Sequence, residues 1–230
     1  MNIIWLGHGS FRIEIEDQVL LIDPWLTGNP MLDTDKARAA CDGATQILVT
    51  HGHFDHTQDV ADYSKDSGVP ISGIVELIGY LVSKGAVEGS AFNRGGTIQL
   101  GKVSVTLVPA SHSSSIMDGD VPLYMGQECG FMIRGEGKCI YVSGDTDIMA
   151  DMEWMGDYYK PDVGILSAGG HFTMDMKAAA YAAKRYFNFS TVIPAHYRTF
   201  PLLAQDAKPL VDGLPNVDVI EPQVLEPIKI

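Results

Sequence analysis

The segment Thr50-His51-Gly52-His53-Phe54-Asp55-His56 constrains this chain more than any other stretch. Three imidazoles and a carboxylate crowd together directly behind the apolar run 47–50. Polar groups at this density, delivered by a strand, need a scaffold that fixes the strand's end and leaves it open to a ligand. A loop whose histidines merely hydrogen-bond is the plainer reading, and the crowding argues against it. The same arrangement recurs down the chain. His112 follows the run ending at Val108, Asp145 follows the run 139–142, and His196 follows the run 191–193. His8 and His171 also come just past apolar runs. Strand ends can converge on one rim of a sheet, where layered α/β folds build their ligand sites.

Nine short apolar runs supply the expected strands: 3–6, 11–15, 19–22, 47–50, 103–108, 130–133, 139–142, 163–166 and 191–193. Most are bounded by Gly, Pro, Asp or Ser, the strand signature. Helical periods lie between them. Ile74, Leu77, Ile78 and Leu81 fall at i, i+3, i+4 and i+7, as do Ala179, Ala182, Ala183 and Tyr186. Asp175 stands where it can cap the second helix. Segments 11–16 and 18–23 read as a hairpin turning at Asp17-Gln18. The expected class is α/β, packed sheets flanked by helices rather than a purely parallel winding. No linker, composition break or short-period repeat divides the chain, so one domain over 1–230 is expected.

Composition narrows the function. A chain of 230 residues with 46% hydrophobic content can bury a core without staples. No stretch nears the roughly 18 consecutive apolar residues of a membrane span. The opening MNIIWLGHGSF lacks a basic n-region and is expected to be a strand, not a signal peptide. Cys41, Cys129 and Cys139 are odd in number and far apart, which suits a reducing, cytoplasmic setting better than a disulfide framework or a paired-Cys zinc site. A net charge of -13 argues against nucleic-acid and anionic-membrane partners, which need Lys/Arg clusters. A small-molecule substrate is the expected partner.

Within the cluster, His51 and His53, at i and i+2 of an extended turn, can pinch one metal ion, and Asp55 and His56 can face a second beside it. Neutral imidazole with carboxylate is a ligand mix for Zn²⁺, Mn²⁺ or Fe²⁺ without any thiolate.

The T-H-x-H-x-D-H run, the later His112, Gly144-Asp145-Thr146 and Pro194-Ala195-His196 resemble the metallo-β-lactamase superfamily of dinuclear-metal hydrolases. Motifs in the right order run from Gly7-His8-Gly9-Ser10 to Pro201. Gly169-Gly170-His171-Phe172-Thr173-Met174 and His196-Tyr197-Arg198-Thr199-Phe200-Pro201 are most similar to the single-domain hydrolases related to L-ascorbate-6-phosphate lactonase. The resemblance implies a four-layer αβ/βα sandwich with its site at one edge of two mixed sheets. It implies His51, His53 and His112 as ligands of a first metal, and Asp55, His56 and His196 as ligands of a second. Asp145 is the implied bridge. Two divalent ions, Zn²⁺ first with Mn²⁺ or Fe²⁺ as alternatives, would share a hydroxide nucleophile. The expected activity is hydrolysis of a small, anionic ester, lactone or phosphodiester, with Asp55 and His171 as the catalytic side chains. The alternatives are a nucleic-acid phosphodiesterase, which needs a basic groove, and a non-catalytic metal-binding protein, which would have lost ligands.

Departures from related branches sharpen this expectation. Asp145 stands where some β-lactamases bring a cysteine, and His53 where flavo-diiron reductases place a glutamate. Ser111-His112-Ser113-Ser114 differs from the His-Thr-Pro-Gly type of glyoxalase II. His8, Ser113, Ser114 and Arg198 are candidate substrate contacts, and Thr199 is another hydroxyl of this kind. His8 reads equally as a strand-end histidine satisfied by the backbone. The same alternative is open to His171, where the adjoining Gly169-Gly170 favours the functional reading. Asp23 reads either as an orienting partner of a ligand histidine or as a turn-initiating residue. Segment 117–126 reads either as a mobile lid or as a simple hairpin.

Overall fold

The computed structural model of the chain describes residues 1–230, the side chain of Thr34 excepted. The first half of the chain runs β1 (Asn2–Trp5), β2 (Phe11–Ile15), β3 (Gln18–Ile22), α1 (Thr34–Ala40) and β4 (Gln46–Val49). It continues with α2 (Phe54–Thr57), α3 (Val60–Ser67), β5 (Ile71–Ile74), α4 (Val75–Ser83) and β6 (Glu88–Phe92). The second half runs β7 (Thr97–Leu100), β8 (Val103–Pro109), β9 (Ser115–Asp118), β10 (Val121–Tyr124), β11 (Cys129–Gly135) and β12 (Lys138–Val142). Then come α5 (Asp151–Tyr159), β13 (Val163–Ser167), α6 (Met176–Tyr186), β14 (Thr191–Ala195), α7 (Lys208–Gly213), β15 (Asp218–Val219) and β16 (Pro227–Lys229).

These strands form two seven-stranded sheets, ordered β16-β1-β2-β3-β4-β5-β6 and β15-β14-β13-β12-β11-β8-β7, plus the two-stranded β9–β10 hairpin. Both large sheets are mixed. β1–β2 and β2–β3 pair antiparallel, while β3–β4 and β4–β5 pair parallel. β8–β11 and β11–β12 are antiparallel, while β12–β13 and β13–β14 are parallel. The last strand, β16, returns to the first sheet and pairs with β1.

Strand alternation produces the layers. Leu20, Ile22 and Leu48 join Phe11, Ile13 and Ile15 in the core shared with the second sheet. Leu21, Ile47 and Val49, one residue out of phase, pack instead with Ala37 of α1, Val60 of α3 and Leu77, Ile78 and Leu81 of α4. The helix α6 buries Ala179, Ala180, Ala182 and Ala183 beside the second sheet, with Met152 and Met155 of α5. Helices thus cover the outer face of each sheet, giving four layers.

All nine expected runs are strands, and Asp175 caps α6 by accepting from Ala178 N at 2.7 Å. Three details differ. The β2–β3 hairpin pairs Ile15 with Gln18, so its turn is Glu16-Asp17, with Glu16 at φ 54°. Ile74 ends β5 and precedes α4 rather than lying in the helix. Segment 117–126 is mostly hairpin, with Met117 paired to Pro122. Cys41, Cys129 and Cys139 are buried free thiols. Among the described residues no helix is long and apolar enough to cross a membrane.

Candidate metal centre

The loops at one edge of both sheets bring the motif residues together. β4 runs into His51 and His53, and α2 starts at Phe54, so Asp55 and His56 sit buried in its single turn. His112 follows β8, Asp145 follows β12, His196 follows β14 and His8 follows β1.

Two clusters share this edge. In the first, His53 Nδ1 lies 3.0 Å from His51 Nε2 and 3.2 Å from His112 Nε2. In the second, ligand atoms of His8, Asp55, His56 and His196 lie within 4.8 Å of one another. Asp145 stands between them. Its Oδ2 is 3.0 Å from His196 Nε2 and 3.5 Å from His56 Nε2 on one side. On the other it is 3.7 Å from His112 Nε2 and 4.0 Å from His51 Nε2.

Buried partners fix which nitrogen His56 and His51 present. His56 Nδ1 lies 2.7 Å from Asp23 Oδ2, which turns Nε2 toward the cluster. The Thr50 hydroxyl donates to the same Asp23 oxygen at 2.6 Å and stands 3.0 Å from His51 Nδ1. Thr50 N donates to Asp23 Oδ1 at 2.8 Å. Asp23 thus reaches one imidazole of each cluster, the orienting alternative of the sequence reading. His8 is engaged at both nitrogens: Nε2 with Asp55 Oδ2 and Nδ1 with Thr199 Oγ1, each at 2.7 Å. It steadies Asp55. The backbones of His8, Asp23 and His196 hold positive φ (53°, 44° and 58°), a region that strains residues other than glycine.

Electrostatics separates the imidazoles. Burial pushes His8 down to about 4, and burial together with the charge of His56 holds His51 well below the ordinary histidine range. Burial works the same way on His196, yet the charge of Asp145 and hydrogen bonds to Asp145 and Asp55 raise it to about 9. His56, against its own burial, is raised well above the ordinary range by Asp145, Asp55 and Asp23. Burial acts to raise Asp55, but the charge of His56 and hydrogen bonds with His196 and His8 keep it ionised.

The donor set fits divalent cations. His56 Nε2 is buried without a hydrogen-bond partner among the described residues and faces Asp55 and Asp145 oxygens at 3.4 and 3.5 Å. Such an atom calls for an explanation, and a cation supplies one. Imidazole nitrogen and carboxylate oxygen are the ligands that Zn²⁺, Mn²⁺ and Fe²⁺ accept.

A cavity of about 920 Å³ opens over this floor. His8, His53, Asp55, His112, Asp145 and His196 line it, with Ser113 beside them and Phe54, Phe172 and Phe200 among its walls. Ser113 Oγ lies 3.2 Å from His53 Nε2.

Some expected site residues are elsewhere. His171 is exposed and outside the cavity lining; its ring meets Phe172 edge-on at 4.6 Å, and Phe172 is the side chain that lines the cavity. The Gly169-Gly170 turn brings its backbone to the site but sends that imidazole outward. Ser114 is buried as the acceptor for Gly52 N at 3.1 Å, a loop clasp rather than a substrate contact. Arg198 is exposed over the Tyr197 ring at 5.9 Å and does not line the cavity. Thr199 serves His8. The apolar walls escaped sequence reading because Phe54, Phe172 and Phe200 sit in turns or a one-turn helix, where no periodicity marks them. Aromatics placed directly beside candidate ligands were the available signal.

The family model described as beta-lactamase superfamily domain matches residues 2–196. The chain is 64% identical to a UPF0173 metal-dependent hydrolase of Roseobacter denitrificans over 230 residues, the whole of both chains. A UPF0173 metal-dependent hydrolase of Paracoccus denitrificans is 58% identical, again with both chains fully covered. Among solved structures, Igni18, a metallo hydrolase from the archaeon Ignicoccus hospitalis, superimposes with a TM-score of 0.87 at 30% identity, covering 99% of this chain and 97% of its own. An isothiocyanate hydrolase from Delia radicum gut bacteria shares the fold, with a TM-score of 0.76 at 16% identity over 100% of this chain and 99% of its own.

Proposed function

The chain belongs to the beta-lactamase superfamily, among its UPF0173 metal-dependent hydrolases, and from that premise we propose that it cleaves a small anionic ester, lactone or phosphodiester at a two-metal site. The observation that carries this reading is the place of Asp145, one carboxylate oxygen within 4.0 Å of imidazole nitrogens from both clusters. His51, His53 and His112 would hold one cation, Asp55, His56 and His196 the other, and Asp145 both. When bound, two divalent ions supply an acidified water and polarise the scissile carbonyl or phosphoryl oxygen.

The chain's own residues do the remainder. Asp23 and Thr50 hold His56 and His51 in the tautomers that face inward. His8 keeps Asp55 in place as a ligand, and Asp55, lining the cavity, is a carboxylate that could hold a proton on that side of the floor. In hydrolysis the water oxygen bonds to the acyl carbon or phosphorus, the bond to the leaving oxygen breaks, and that oxygen takes up a proton. Two divalent cations against the carboxylates of Asp55 and Asp145 leave the floor positive, and burial makes an anionic substrate group more welcome there. The overall charge of -13 opposes its approach weakly, because exposed charges beyond about 8–10 Å are screened at physiological salt.

The test screens protein reconstituted with Zn²⁺ or Mn²⁺ against lactones, phosphodiesters and thioesters, each beside metal-stripped and Asp145→Ala controls. Turnover that needs both the metal and Asp145 supports the reading. Turnover that survives in either control rejects it.

A further inference from the structure

The cavity is far larger than its metal-binding floor. At about 920 Å³ it lies near the top of the roughly 300–1,000 Å³ range of small-molecule sites. A lactone or ester seated on the floor alone would leave most of it to water.

What lines the remainder is apolar. Phe54, Met117, Phe172 and Leu202 are 59, 58, 52 and 54% exposed, and all four line this one cavity. They come from four separate segments: α2, the β9–β10 hairpin, the turn after β13 and the turn after β14. Large side chains left in water singly are ordinary, but four lining one concavity, together with Ile116 and Phe200, give it a largely apolar wall. The wall is continuous with the floor, since His53, Asp55 and His112 line the same cavity. Lys84 is the one lysine or arginine among the described lining residues, and exposed Asp62 lines the cavity as well. The outer cavity therefore offers little to a second anionic group.

Resting on the two-metal reading above, we propose that the substrate is amphiphilic: its scissile, anionic end sits on the floor, and a medium-length alkyl, acyl or aryl arm lies against Phe54, Met117, Phe172 and Leu202. The hydrophobic effect acts on the arm and the cations act on the head, so the two contributions vary separately.

The test uses n-alkylphosphonates from methyl to octyl as non-hydrolysable probes, titrated calorimetrically into protein reconstituted with Zn²⁺. Each added methylene is expected to tighten Kd by about fourfold until the cavity is filled. Metal removal should weaken every member by one common factor and leave the slope with chain length intact. Met117→Ser and Leu202→Ser, both at exposed positions, should flatten the slope without altering metal content. A flat series with metal-dependent affinity overturns the apolar arm and spares the metal reading. A steep series indifferent to metal does the reverse. Absence of binding by any member overturns both. A flat series accompanied by a concentration-dependent dimer that Met117→Ser dissolves gives the wall to a second copy of the chain and likewise overturns the proposal.

Discussion

Asp23 Oδ2 lies 2.7 Å from His56 Nδ1, both residues buried, and the same oxygen accepts from the Thr50 hydroxyl that faces His51. One carboxylate therefore orients an imidazole in each of the two clusters. Removing it should disturb both clusters together. Asp23→Ala is expected to weaken metal binding or activity by about 10–100-fold, the usual effect of losing a partner behind a ligand. Competitive chelator titration measures it. A folded variant that holds metal as tightly as the parent would remove Asp23 from this role.

Asp145→Ala should cost more activity than His8→Ala. Asp145 faces both clusters, whereas His8 is bonded at each nitrogen and acts through Asp55. The comparison needs kcat/KM with metal content for two variants of similar thermal stability. Equal losses would show that the assignment of bridge and positioning residue is wrong.

Gly169 packs its backbone against the carbonyl of His196, where an added Cβ would overlap that oxygen. Gly169→Ala must push the His196 segment away from the second cluster. The expected result is about 1–3 kcal/mol of lost stability, as for other overpacked sites, together with weakened retention of one cation. A calorimetric Tm and a metal assay read the two effects; a variant unchanged in both contradicts the packing argument.

Much of this arrangement is legible in the sequence because buried strands and polar ligands contrast sharply. The strand ends at His51, His112, Asp145 and His196 are visible as apolar runs broken by imidazole or carboxylate. The missed strands β6, β7, β9 and β10 are half exposed and patterned weakly, and the short β15 and β16 lie at sheet edges. The buried β5, also missed, is four residues long with a glycine inside it and runs straight into α4. His171 misleads for a different reason. Adjacency to a Gly-Gly turn places its backbone near the site, but neighbouring side chains leave an irregular turn in different directions, and Phe172 takes the inward one. Asp23 stays ambiguous until the fold brings a partner 33 positions away to its carboxylate.

Metal affinity should rise with pH. In the metal-free protein His196 keeps its proton up to about 9, and His56 is also held protonated. A cation must displace those protons, so Kd should fall by up to tenfold per pH unit per proton, with the His196 contribution fading as pH passes about 9. The linked stability has the opposite sense. A raised histidine favours the metal-free fold fully below its unfolded pKa of about 6.5, and the gain fades as pH rises through about 9. Chelator competition between pH 6 and 9 tests the first trend, and pH-independent affinity would contradict it.

The most direct test of the central claim is metal stoichiometry. Protein stripped of metal, reconstituted with Zn²⁺ or Mn²⁺ and freed of excess ion is expected to retain about two ions per chain by elemental analysis, and about one after His112→Ala. A parent chain that retains one ion at most contradicts the account, since Asp145 would then have a single cation to hold.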